Sequence, residues 1–186
     1  MKRAVLVHGN GGSDTDYFWF ADTKEYLEAQ GYKVMWPLLP DTNDIPNLIE
    51  TVEYLKQHAP LRDGDIVIGH SSGCPVILYW LQNANVHLVQ VVLVSGLYDK
   101  LICNDYNRYM LPKEGFDFST IKTKSDEFIL INSDNDPWGC DDGQARPVAG
   151  ELGAKFILAE GQGHMGSASF NQPYRKFPML KELLAV

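Results

Sequence analysis

Short, nearly uninterrupted apolar runs recur along the chain at Ala4–Val7, Tyr32–Trp36, Asp65–Ile68, Leu88–Val94, Phe128–Ile131 and Lys155–Ala159. Most are rich in Val and Ile and lack the polar alternation of a half-solvated strand, which is the pattern of strands buried on both faces. Between them lie amphipathic stretches of helical length, at about Tyr17–Gln30, Pro46–His58, Ser72–Asn85, Asp142–Leu152 and Tyr174–Leu184. Strand and helix alternate over nearly the whole chain, which predicts βαβ units and a parallel sheet. Local chemistry supports the boundaries: Pro46 after Asp44 suits a first helical turn, Gly31 a helix C-terminus, and Asp141 with Gln144 a capping box. The rhythm breaks at Gly96–Glu127, a long connection carrying Tyr98, Tyr106, Tyr109, Met110, Phe116 and Phe118. Connections of that length are uncommon unless they cover a site, so partial cover of the site is expected here.

A chain of 186 residues, 45% hydrophobic and 22% charged, has the size and composition of one globular domain, expected to span 1–186. Lys and Arg number 16 against 24 Asp and Glu, a formal charge of −8. Such a surface repels phosphate backbones and lacks a basic footprint, which argues against a nucleic-acid partner. No apolar run approaches the roughly 20 residues a bilayer span requires, and the segment after Met1-Lys2-Arg3 is too short for a signal-peptide core. Cys74, Cys103 and Cys140 are odd in number and far apart, unlike a disulfide framework or a thiolate zinc site. A soluble protein of the reducing cytoplasm, with no membrane partner, is expected.

The chemistry concentrates after the third, first, fifth and sixth runs. Asp65–Ile68 leads into Gly69-His70-Ser71-Ser72-Gly73 and then a helical stretch, placing a G-x-S-x-G pentapeptide at a strand-to-helix turn. So tight a turn strains the nucleophile's backbone and requires small residues on either side, supplied by Gly69 and Gly73. It exposes the Ser71 hydroxyl and leaves the Ser72 N–H, at a helix N-terminus, to face a developing anion. The glycine-rich His8-Gly9-Asn10-Gly11-Gly12 loop can present the Asn10 N–H as a second oxyanion donor. A dinucleotide turn would need glycine where Asp14 stands, and no phosphate-binding P-loop is present.

Acidic residues follow in Ser133-Asp134-Asn135-Asp136-Pro137-Trp138, and His164 follows them in a glycine-rich turn. A serine hydroxyl needs a neutral imidazole to take its proton, and the imidazole needs a carboxylate to orient it. Of the two carboxylates, Asp136 is preferred because Pro137 stiffens the chain after it, while Asp134 can simply terminate the strand. His164, in its glycine-rich loop, is expected to swing into place. Read as a calcium loop, the acidic segment fails at Trp138, where an oxygen ligand is required, so no metal is expected. His70 is expected to face away from the pocket, His8 to end a strand, and His58 and His87 to lie near helix ends. Cys74 reads as a small buried apolar residue, and Tyr17–Phe20 as part core and part pocket wall.

These features resemble the α/β-hydrolases, and more narrowly the small serine hydrolases of the retinoblastoma-binding protein nine and YdeN type. The resemblance rests on His8–Gly12, the aromatic-rich first helix, Gly69–Gly73, Asn135-Asp136-Pro137 and Gly163-His164. It implies a compact, lidless α/β fold with a parallel six-stranded sheet ordered 2-1-3-4-5-6 and helices on both faces. It also implies Ser71 as nucleophile, Asp136 as orienting acid and His164 as base, acting without a cofactor. The pocket-protein motif L-x-C-x-E is only approximated by Leu101-Ile102-Cys103-Asn104-Asp105, so no protein partner is carried over. The resulting expectation is a serine hydrolase, carboxylesterase-like, that cleaves small acyl esters, thioesters or amides through an acyl-enzyme. The alternatives are an aminopeptidase-like amide hydrolase and an interaction module with a vestigial site.

Overall fold

The Val- and Ile-rich runs pair side by side in the computed structural model, which describes residues 1–11, 17–40, 47–99 and 109–186. Strands β1 (Arg3–Val7), β2 (Lys33–Met35), β3 (Ile66–His70), β4 (Leu88–Val94), β5 (Ser125–Asn132) and β6 (Lys155–Leu158) form one sheet in the order β2-β1-β3-β4-β5-β6. Every pairing is parallel, so topology and order match the expectation. β1 and β3 are buried at every residue, whereas the edge strands β2 and β6 are partly open to solvent.

Successive strand residues point to opposite faces, and each face has its own core. Val5, Val7, Val67, Val91, Leu93 and Leu130 pack with residues of α2 (Leu48–His58), α3 (Gly73–Gln82) and α5 (Asp142–Leu152). Leu6, Ile66, Ile68, Val92, Ile129 and Ile131 pack with residues of α1 (Phe20–Ala29) and α6 (Pro178–Leu183). A short α4 (Phe118–Ile121) and a 3₁₀ turn lead into β5. Among the described residues no helix is long and apolar enough to cross a membrane.

The boundaries differ from expectation in instructive places. α2 starts at Leu48, because the side chain of Asn47 accepts from the Ile49 and Glu50 N–H groups and caps the helix there; Asp44 and Pro46 lie outside the described residues. Asp141 caps α5 by accepting from the Gln144 N–H, but only half of the expected box forms. The Gln144 side chain instead accepts from the Tyr98 and Asp99 N–H groups and donates to the Gly139 carbonyl. Gly31 follows α1 at φ +83°, as a helix C-terminus requires.

The described part of the Gly96–Glu127 connection places its aromatics away from the cavity lining, and residues 100–108 lie outside the described residues. Met110 is buried in the α2–α3 side core, and Phe116 and Phe118 pack against that core. Tyr106 and the Leu101–Asp105 segment lie outside the described residues. The strand order reverses between β1 and β3, whose ends Val7 and Gly69 are paired, and open parallel sheets bind ligands at such a point.

Candidate active site

Between the end of β3 at His70 and the start of α3 at Gly73 only Ser71 and Ser72 remain to turn the chain. Ser71 accordingly sits at φ +55°, a conformation that costs a non-glycine residue on the order of 1–3 kcal/mol. The Ser71 N–H donates to the Val94 carbonyl at 2.9 Å and the Cys74 N–H to the Ser71 carbonyl at 3.0 Å. The two flanking glycines are unequal. A Cβ on Gly73 would lie 2.3 Å from the Val7 carbonyl oxygen, whereas one on Gly69 would meet the mobile end of the Ile77 side chain at 2.6 Å. Backbone cannot step aside, so Gly73 is the position that admits no side chain.

Beyond β5 and β6 the structure brings Asp136 and His164 together. His164 Nδ1 lies 2.6 Å from Asp136 Oδ2, and both side chains are buried. The other carboxylate oxygen accepts from the Trp138 N–H at 2.8 Å. Asp134 is exposed and does something else: its Oδ1 accepts from the Gly161 N–H at 2.8 Å, which holds its carboxyl below the usual range. Asn135 Oδ1 accepts from the Gly163 N–H and Ser133 Oγ from the Gln162 N–H. The His164 N–H itself donates to Gln172 Oε1 at 2.9 Å. The glycine-rich loop is therefore held from both sides, and His164 is fixed rather than free to swing. An imidazole with Nδ1 committed to a buried carboxylate keeps Nε2 available as a base.

The loop after β1 lies against the Ser71 turn. The Asn10 N–H does not point unpaired into the cavity: it donates to Ser72 Oγ at 2.8 Å, and Ser72 Oγ donates back to Asn10 Oδ1 at 2.9 Å. The donor expected for the oxyanion is thus engaged by a side chain. Gly12 and Asp14 lie outside the described residues.

Ser71 and His164 line one cavity of about 250 Å³, with Asn10, Tyr17, Phe18, Leu97, Trp138 and Cys140. Its aromatic walls come from Tyr17, Phe18 and Trp138, the last donating from Nε1 to Ser167 Oγ at 3.1 Å. Among the described residues of the Gly96–Glu127 connection, Leu97 lines the cavity. Trp19 and Phe20 are fully buried, so the aromatic run divides between core and wall.

The contacts of three residues lay beyond what the sequence could indicate. His70 is off the cavity lining, as expected, and fully buried, with its ring centroid 4.9 Å from that of His164. His8 is buried, accepting from the Leu39 N–H at Nε2. Cys140, 1% exposed, lines the cavity. The signal available for Cys140 was its place four residues after Asp136; for His70, pairing with Tyr17 across 53 positions leaves no local trace.

Asp136, Cys140 and His164 each offer a metal-ligating atom, all within 4.8 Å of one another. Asp136 and His164 spend those atoms on each other, and burial pushes the Cys140 thiol up, away from the thiolate a metal would need. The set fits a hydrogen-bonded acid–imidazole pair beside a neutral thiol.

The chain is similar to known proteins over most of its length. A rat serine hydrolase, RBBP9, is 24% identical over 178 residues, 93% of this chain and 92% of the relative. YdeN of Bacillus subtilis is 31% identical over 99 residues, 51% of this chain and 50% of the relative. The crystal structure of the B. subtilis ydeN product superposes with a TM-score of 0.84 at 23% identity, covering 98% of this chain and 96% of that one. The serine hydrolase family model matches residues 4–185, the span from the first strand to the end of the chain that builds the sheet and its cavity, and the chain accordingly belongs to the serine hydrolase family.

Proposed function

We propose that the protein cleaves small carboxylic esters, thioesters or amides through an acyl-enzyme on Ser71. The observation that carries the reading is the 2.6 Å pair of His164 Nδ1 with buried Asp136, opening on the same cavity as the strained Ser71. In this reading Ser71 Oγ attacks the acyl carbon while its proton passes to His164 Nε2. The carbonyl oxygen becomes an oxyanion bound by the Ser72 and Asn10 N–H groups, for which Asn10 exchanges its bond to Ser72 Oγ. Collapse of the tetrahedral adduct breaks the bond to the leaving group, which takes the proton from His164. Water then repeats the sequence and frees the carboxylic acid and Ser71. Asp136 orients the imidazole through the Nδ1 contact.

The cavity, at about 250 Å³, lies below the range of roughly 300–1,000 Å³ of drug-sized ligand sites. Together with the Phe18, Leu97 and Trp138 walls, this supports a short apolar acyl group. No carboxylate is among the described lining residues to receive a substrate ammonium; this favours esters over the aminopeptidase-like alternative. Free, buried Cys74 and Cys140 support a reducing, cytoplasmic setting. A p-nitrophenyl ester series tests the reading. The expected result is a kcat/KM maximum at acyl chains of about two to six carbons, lost in Ser71→Ala; equal turnover by the variant overturns it.

A further inference from the structure

One buried polar chain beside the site has no role in the reaction just described. Tyr17, His70 and the His164 carbonyl are joined inside the protein: Gly9 N to Tyr17 Oη at 3.0 Å, Tyr17 Oη to His70 Nδ1 at 2.8 Å, and His70 Nε2 to the His164 carbonyl oxygen at 2.8 Å. The termini fix its direction. A backbone N–H only donates and a carbonyl only accepts, so Tyr17 Oη accepts from Gly9 and has one proton left, which goes to His70 Nδ1. His70 then carries its own proton on Nε2 and donates it to His164. The neutral Nε2–H tautomer alone satisfies every partner.

The chain ends on three segments that the proposed reaction requires to be in register. Gly9 precedes the oxyanion donor Asn10, and the site of its absent Cβ lies 2.7 Å from Ser71 Cβ. His70 precedes Ser71 and His164 is the base. Tyr17 packs edge-on to Phe20 and His70, and Trp19 reinforces the same loop by donating from Nε1 to the Met165 carbonyl at 2.9 Å. A hydrogen-bond chain adds what packing lacks: fixed lengths and a fixed order of donors and acceptors.

We infer that Tyr17 and His70 are positioning residues whose one-way hydrogen-bond chain sets the spacing of the Ser71 nucleophile, the His164 base and the Asn10 donor. This rests on the hydrolase reading above. His70 does not line the cavity, and although the Tyr17 ring does, its hydroxyl is spent on Gly9 and His70; both act through the backbone of their neighbours. Errors of about 1 Å in such spacing cost on the order of 100-fold in rate.

Tyr17→Phe keeps the ring and removes only Oη. The chain predicts a fall in kcat of about 10- to 100-fold with KM within about 3-fold, in protein whose near-ultraviolet circular dichroism is native. Tyr17→Phe combined with His70→Asn is expected to lose no more than the worse single variant, because cutting either link opens the same chain. A folded Tyr17→Phe with wild-type kcat, a change confined to KM, or losses that multiply overturns the proposal. Nitrogen-15 spectra of the wild-type imidazoles provide a readout independent of any variant and of turnover: His70 is expected as the Nε2–H tautomer, and an Nδ1–H or doubly protonated ring overturns the chain. Absence of ester hydrolysis by the wild type with the predicted tautomer present overturns the hydrolase reading instead.

Discussion

Acid should destabilise this protein through two imidazoles that folding keeps neutral. His70 and His8 are 0% and 1% exposed. Burial holds His70 well below the usual imidazole range, with His164 nearby adding to the effect, and burial lowers His8 as well. In the unfolded chain both bind a proton below about pH 6.5. Their contribution to stability is therefore complete above that pH and is lost as pH falls toward the folded values, because the unfolded state takes up protons that the folded state refuses. A ring that the fold keeps neutral loses RT ln(1 + 10^(6.5 − pH)), at most about 2 kcal/mol at pH 5, and His70, the more strongly lowered of the two, comes closest to that limit. His87 works in the opposite sense, since the exposed Asp126 beside it raises its pKa. Comparing wild type with His70→Asn cancels His87 and the carboxylates and isolates one ring. Urea unfolding followed by tryptophan fluorescence at pH 7.5 and pH 5.0 reads the difference. The wild type should lose up to about 2 kcal/mol more than the variant between the two pH values, at most roughly 1 M in midpoint for an m-value of about 2 kcal/mol/M. An identical pH dependence would refute the claim that His70 is buried neutral.

Other expectations follow from single contacts. Asp136→Asn should lower kcat by about four orders of magnitude, the scale seen when an orienting carboxylate is replaced, whereas Asp134→Ala, which loosens only the Gly161 tether, should cost about 10-fold or less; steady-state ester hydrolysis separates the two. Gly73→Ala drives a methyl to 2.3 Å from the Val7 carbonyl and should lower stability by about 3 kcal/mol or more, visible as a lowered melting temperature. Trp138→Ala removes a cavity wall and should shift the kcat/KM maximum toward longer acyl chains across a p-nitrophenyl ester series.

The sheet was legible in the sequence because burial on both faces removes polar alternation, and strands such as β1, β3 and β4 then stand out as unbroken Val- and Ile-rich runs. Alternation with amphipathic stretches gave the parallel class, and the strand order came from the resemblance. Helix starts were less legible: the cap of α2 is a side-chain contact from Asn47, and a nearby proline offered a competing signal. At the site, the preference for Asp136 over Asp134 agrees with the contact to His164, yet the reason Asp134 is spent elsewhere, a bond to Gly161, spans 27 positions and has no local signature. The same holds for the engagement of Asn10 by Ser72 and for the buried contacts of His70. In the connection after β4, Phe116 and Phe118 pack against the core, and aromatics look alike in sequence whether they do that or wall a cavity.

The central claim is that His164, oriented by Asp136, activates Ser71. Labelling the purified protein with a fluorophosphonate, then locating the adduct by mass spectrometry, tests it most directly. The account predicts a single adduct on Ser71 that is lost in His164→Ala. A folded wild-type protein that stays unlabelled, or that is labelled on Ser71 equally well without His164, would contradict it.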